Sequence, residues 1–170
     1  MNKTRTRVDA DIEALGALCI AGGIQCAVAE SCTGGLLGAC LTRRAGASRW
    51  FAGGIVAYDN RVKTEVLGID PELLREHGAV SEQTALRMAL GVCRLLGVQA
   101  AVAVTGIAGP DGGSPEKPVG LVWIGCALRG VAQARSFRFQ GSRSQVRRAA
   151  CAEAIRCLLA QFSSTCSDFK

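Results

Sequence analysis

The chain has one histidine, one tyrosine, two tryptophans and four prolines in 170 residues. A single histidine excludes a His-rich metal centre. A Ser-His-Asp triad would have to be built on His77. That residue sits in Arg75-Glu76-His77-Gly78, a pattern that ends a helix, where an imidazole meets the carbonyl dipole favourably. The nine cysteines include no C-x-x-C pair, so neither a zinc knuckle nor a redox dithiol is expected. Most read as reduced, small apolar packing residues. No apolar run approaches the ~20 residues of a membrane span; the richest, residues 95–106, is interrupted by Gly97 and Gln99. The basic start, residues 1–7, runs into Asp9, Asp11 and Glu13, unlike a signal or transit peptide. A cytoplasmic protein with no membrane partner is expected. Scattered arginines and few aromatics also argue against a nucleic-acid partner.

What is present suits a single globular domain over residues 1–170, since a domain takes ~100–200 residues. Hydrophobic residues make up 49% and charged residues 20%. A chain of this length buries about 70% of its unfolded surface and needs no disulfide to hold a core. The net charge of +6 favours an anionic partner, and a small phosphorylated molecule fits it.

Helical and extended patterns alternate. Residues 8–19 carry apolar positions at helical spacing and stop at Gly22-Gly23. Residues 24–29, 54–58 and 100–105 read as buried strands. Residues 121–128 and 132–139 read as a hairpin turning at Arg129-Gly130. Asp59 caps a helix starting near Arg61. Asp70-Pro71 opens another helix that Gly78 closes, and Ser81 caps a third. Ser142 and Gln145 form a capping box for the last helix, with a frayed tail from Ser163. This order predicts a three-layer α/β/α sandwich with a mixed, mainly parallel sheet. In such sheets ligands bind beyond the carboxyl ends of the strands. Three polar segments follow strand ends, residues 30–35, 58–63 and 105–120, and they should meet at one site. The last holds three of the four prolines and five of the 21 glycines.

Ser31 sits between a strand and Gly34-Gly35, where free backbone N–H groups can meet a phosphate or an oxyanion. Ser31 or Thr33 could equally serve as a plain helix cap. Cys32 is a rival nucleophile at the same turn, and the residues alone do not separate it from Ser31. With His77 set aside, Lys63 and Tyr58 are the nearest bases; a lysine needs its pKa lowered by roughly 3 units to serve near neutral pH. Glu30 and His77 stand behind them. Arg143, at the start of the last helix, could reach a phosphate. The glycines of residues 105–120 let backbone approach a ligand closely.

Four blocks in order carry a resemblance. They are Val28-Ala29-Glu30-Ser31-Cys32-Thr33-Gly34-Gly35; Gly53-Gly54-Ile55-Val56-Ala57-Tyr58-Asp59-Asn60 with Lys63; Gly78-Ala79-Val80-Ser81; and Ala103-Val104-Thr105-Gly106-Ile107-Ala108-Gly109-Pro110, continuing through Pro115-Glu116-Lys117-Pro118-Val119-Gly120. Together they resemble the CinA C-terminal domain family, over nearly the whole chain. Asp59, where serine is common, and Asp111, within the glycine loop, depart from its pattern. The resemblance implies a stand-alone amidohydrolase that turns nicotinamide mononucleotide and water into nicotinate mononucleotide and ammonia in pyridine nucleotide recycling. It implies Ser31 as nucleophile, assisted by Tyr58 and Lys63, with no cofactor and no metal. Thr33, Gly34, Gly35, Thr105, Gly106, Gly109 and Arg143 are the expected substrate-binding residues. A homo-oligomer, in the first instance a dimer, is expected. The competing reading is a non-catalytic nucleotide-binding or regulatory module with the same fold.

Overall fold

A computed structural model describes residues 3–165. The elements are α1 (Lys3–Ala21), β1 (Cys26–Glu30), α2 (Leu36–Leu41), a short 3-10 turn (Ala47–Arg49), β2 (Phe51–Val56), α3 (Asn60–Glu65), α4 (Pro71–His77), α5 (Glu82–Leu96), β3 (Ala100–Gly106), β4 (Leu121–Leu128), β5 (Val131–Arg138) and α6 (Arg143–Thr165). The five strands form one sheet in the order β2-β1-β3-β4-β5. β1 pairs in parallel with β2 and β3; β3–β4 and β4–β5 are antiparallel. Four strands therefore run the same way and only β4 opposes them.

Alternation along the strands builds two unlike faces. Cys26, Val28, Val102, Val104, Ile124 and Cys126 point towards α1, α2 and α6, where they join Leu15, Leu37, Ile155 and Leu158. The opposite face presents Ala27, Ala29, Ala101, Ala103 and Ala127 to Met88, Ala89 and Val92 of α5. Small side chains let α5 sit close to the sheet. Gly125 of β4 takes this furthest, because a Cβ there would run into the Ala85 carbonyl. The eight described cysteines are free, and six are buried. No helix among the described residues is long and apolar enough to cross a membrane.

Several local signals act as their chemistry dictates. Asp59 accepts from Arg61 N, Asp70 from Glu72 N and Ser81 from Thr84 N, each capping its helix. Ser142 N donates to Gln145 Oε1 (2.7 Å) and Gln145 N to Ser142 Oγ (3.4 Å), a reciprocal capping box. Arg129 and Gly130 both hold positive φ (50° and 84°), as a two-residue hairpin turn requires.

Two boundaries differ most from expectation, while β1 (expected over residues 24–29) and β5 (expected over 132–139) shift by one or two residues. α1 begins at Lys3, five residues before the apolar pattern that revealed it. β2 occupies Phe51–Val56 rather than residues 54–58. Its ladder starts where Cys26 N donates to Trp50 O (2.7 Å), and Gly53 at φ 140° absorbs a one-residue bulge opposite Cys26 and Ala27. Ala57 and Tyr58 lie just past the strand. Of the expected frayed tail, Ser163 to Thr165 are still helical, and the remainder lies outside the described residues.

Candidate active site

The parallel strands β1, β2 and β3 end at the same edge of the sheet. Their following segments, the three polar ones named from the sequence, line one cavity of about 270 Å³. Ser31 and Cys32 follow β1; Tyr58, Asn60 and Lys63 follow β2; Thr105, Gly106, Gly109 and Asp111 follow or end β3. Arg143 reaches in from α6, and Ala79 and Val80 come from the α4–α5 connection. The position is the topological switch point, since the chain leaves β1 towards β2 on one side and β3 lies on the other.

Lys63 is the most unusual side chain in the cavity wall. It is only 1% exposed. Its Nζ donates to Ala57 O (2.8 Å) and Tyr58 O (3.2 Å), and no carboxylate among the described residues pairs with it within ion-pair distance. Burial pulls its pKa below the ordinary lysine value, although Asp59 and then Cys32 pull the other way. Loss of hydration favours release of the proton, whereas the two carbonyl acceptors favour the ammonium form.

Tyr58 is 59% exposed, with its hydroxyl anchored by Arg143 Nη2 (2.8 Å). Arg143 Nη1 donates to Gly109 O (2.8 Å). One guanidinium thus ties the segment after β2 to the loop after β3. Two of its five N–H donors are used, and the others remain for an anion.

The turn around Ser31 is held from both sides. Ser31 N donates to Val104 O (2.9 Å), and Ser31 O accepts from Gly34 N (3.0 Å). Its hydroxyl makes no hydrogen bond with the described residues. Glu30, 1% exposed, accepts from Gly35 N, Leu37 N and Gly38 N at 3.0, 3.0 and 2.8 Å. Arg147 clasps the Thr33 carbonyl through Nε (3.2 Å) and Nη2. The cap of α2 is therefore Glu30, where Ser31 or Thr33 was the sequence candidate, and its carboxylate is committed to three donors rather than poised as a base. The N–H groups of Gly34 and Gly35 are engaged within the turn and do not face a ligand. Thr33, Gly34 and Gly35 lie behind Ser31 and do not line the cavity. Thr33 is fully buried. Cys32 does line it, but burial pushes its thiol up to about 11, with Arg143 and Arg147 offsetting part of that.

Removing the Glu30 carboxylate strands three backbone donors at the start of α2. At ~1–3 kcal/mol for each unsatisfied buried group, Glu30→Ala should destabilise the fold by about 3 kcal/mol or more. Glu30→Gln, which keeps one acceptor oxygen, should lose less. Denaturant midpoints for the two variants check this; equal, small losses would mean that water replaces the carboxylate.

The residues after β3 divide by role. Thr105 lines the cavity, and its Oγ1 donates to Ala79 O (2.7 Å) and fixes the α4–α5 connection. At Gly106 a Cβ would meet Leu121 O at 2.6 Å, so only glycine lets the loop leave β3 beside β4. Gly109 sits at φ 76° with its carbonyl on Arg143. His77 lies at the end of α4, outside the cavity, with Nε2 3.8 Å from Glu76. No group of three or more His, Cys, Asp or Glu suited to a metal occurs among the described residues.

A mixed α/β sandwich with a serine, a buried lysine and a glycine-rich loop at its switch point defines the class. The model of the CinA C-terminal domain matches residues 9–162, and the chain belongs to that family. A CinA-like protein of Mycolicibacterium vanbaalenii is 54% identical over 126 residues, covering 74% of this chain and 30% of the relative. One from Gemmatimonas aurantiaca is 45% identical over 150 residues, covering 88% and 35%. The chain thus spans about a third of the length of these relatives. Among solved structures, a competence or damage-inducible protein from Enterobacter asburiae superposes with a TM-score of 0.88 at 30% identity, covering 91% of this chain and 98% of that one. The competence/damage inducible protein CihA from Agrobacterium tumefaciens gives 0.82 at 44% identity, covering 88% and 94%.

Proposed function

We propose that the chain is an amidohydrolase that converts nicotinamide mononucleotide and water into nicotinate mononucleotide and ammonia. The observation that carries this reading is the pairing of Ser31 with Lys63 in one cavity, the lysine buried and depressed in pKa. The carboxamide of a pyridinium ring is electron-poor and accepts a nucleophile more readily than an ordinary amide. Ser31 Oγ attacks the amide carbon as Lys63 takes its proton. The C–N bond then breaks, the proton passes to the leaving nitrogen, and ammonia departs. Water, deprotonated in turn by Lys63, cleaves the resulting ester and restores the serine. Tyr58 and Arg143 border the reacting centre, and the spare donors of Arg143 suit the substrate phosphate.

Ammonia release from nicotinamide mononucleotide by the purified protein tests the reading. Release should survive exhaustive chelation with EDTA. Loss of activity on chelation and recovery with Zn²⁺ or Mg²⁺ would show that the chemistry runs through a metal. Binding of the nucleotide without ammonia would favour a non-catalytic nucleotide-binding module.

A further inference from the structure

Among the described residues, Asp111 is the one acidic residue that lines the cavity. It makes no hydrogen bond or ion pair with any described residue, whereas the two cations that line the same cavity both hold protein oxygens. Lys63 holds two carbonyls, and Arg143 holds Gly109 O and Tyr58 Oη. The loop carrying Asp111 is fixed around it. Arg143 grips the carbonyl two residues before, and two residues after, Gly113 lies so close to Val119 that a Cβ there would meet its N at 2.8 Å. Asp111 is exposed at the rim of the cavity, and its carboxylate, on a pinned backbone, has no partner among the described residues.

We propose that Asp111 determines specificity by accepting hydrogen bonds from the vicinal ribose hydroxyls of the substrate, which makes the site selective for ribonucleotides. This inference rests on the proposed function. A carboxylate offers acceptors only. Of the three parts of a pyridine mononucleotide, the phosphate is repelled by it. The ring must keep its electron deficiency to be attacked at Ser31, and an anion against it would oppose that. The ribose diol offers two neighbouring donors, the pattern that acidic residues take up in dinucleotide sites.

The test compares nicotinamide mononucleotide with its 2′,3′-dideoxy analogue on the wild type, Asp111→Ala and Asp111→Asn. Hydrogen bonds to a charged acceptor discriminate by about 10- to 100-fold. The wild type should prefer the ribonucleotide by that factor, seen mainly in KM. Asp111→Ala should raise KM for the ribonucleotide and leave the analogue's KM unmoved, erasing the preference. Asp111→Asn, with one acceptor oxygen and no charge, should fall between. Turnover with the same preference in all three proteins overturns the role of Asp111 and leaves the amidase reading standing. Absence of ammonia from the wild type overturns the amidase reading instead. Calorimetric titration with nicotinate mononucleotide and its dideoxy analogue then decides the diol contact separately. Discrimination lost in Asp111→Ala supports it, and equal binding of both ligands, or of neither, overturns it.

Discussion

Ser31→Ala should reduce ammonia release from nicotinamide mononucleotide to background while leaving the unfolding midpoint near that of the wild type. The hydroxyl makes no hydrogen bond that the fold depends on. The contacts that hold the turn, Ser31 N to Val104 O and Gly34 N to Ser31 O, belong to the backbone and survive in alanine. Glu30, not Ser31, caps α2. Cys32→Ala should keep most of the turnover. Its thiol, raised to about 11 by burial, is almost wholly protonated near neutral pH and is a poor nucleophile in that form. Steady-state ammonia assays on both variants, with thermal melts alongside, check the pair. The reverse outcome, with Cys32→Ala inactive and Ser31→Ala active, would move the nucleophile by one residue.

The second large effect concerns Lys63. Lys63→Met fills the same buried slot with a chain of similar reach and no base, and Lys63→Arg keeps the charge without a usable deprotonated form. Both should lower kcat by at least the ~10²-fold typical of lost acid–base help, with a smaller change in KM. The sign of the pH dependence follows from the lowered pKa. The neutral amine is the active form, so kcat/KM of the wild type should rise with pH and level off below the ordinary lysine range. That rising limb should vanish in Lys63→Met. Near-normal turnover in either variant would leave Lys63 as a structural donor to Ala57 and Tyr58, and the base would then be sought at Tyr58. Glu30 and His77 no longer qualify, the first being occupied by three N–H groups and the second lying outside the cavity.

Features carried by local chemistry could be read without the fold. The capping box at Ser142 and Gln145, the N-caps at Asp59, Asp70 and Ser81, and the hairpin at Arg129-Gly130 each depend on residues a few positions apart. The convergence of the three polar segments was also legible, because parallel strands put their carboxyl ends on one edge. What could not be read was long-range or concealed by glycine. Arg147 is one of several arginines in the last helix, and nothing local marks its grip on Thr33, 114 residues away. Glu30 precedes a candidate nucleophile and invites a chemical role; only the geometry of α2 turns it into a cap. Gly53 and Gly54 conceal the start of β2, because two consecutive residues without side chains carry no apolar alternation. The polar first turn of α1 gives no amphipathic signal before Val8.

The central claim is that an ester forms on Ser31 during deamidation. An acid-quenched single turnover, with enzyme in excess over nicotinamide mononucleotide, tests it by mass analysis of the peptide that contains both Ser31 and Cys32. The account predicts that this peptide gains the mass of a nicotinate mononucleotide acyl group, and that fragmentation places it on Ser31. The added mass on Cys32, or ammonia formed with no residue modified, would contradict it.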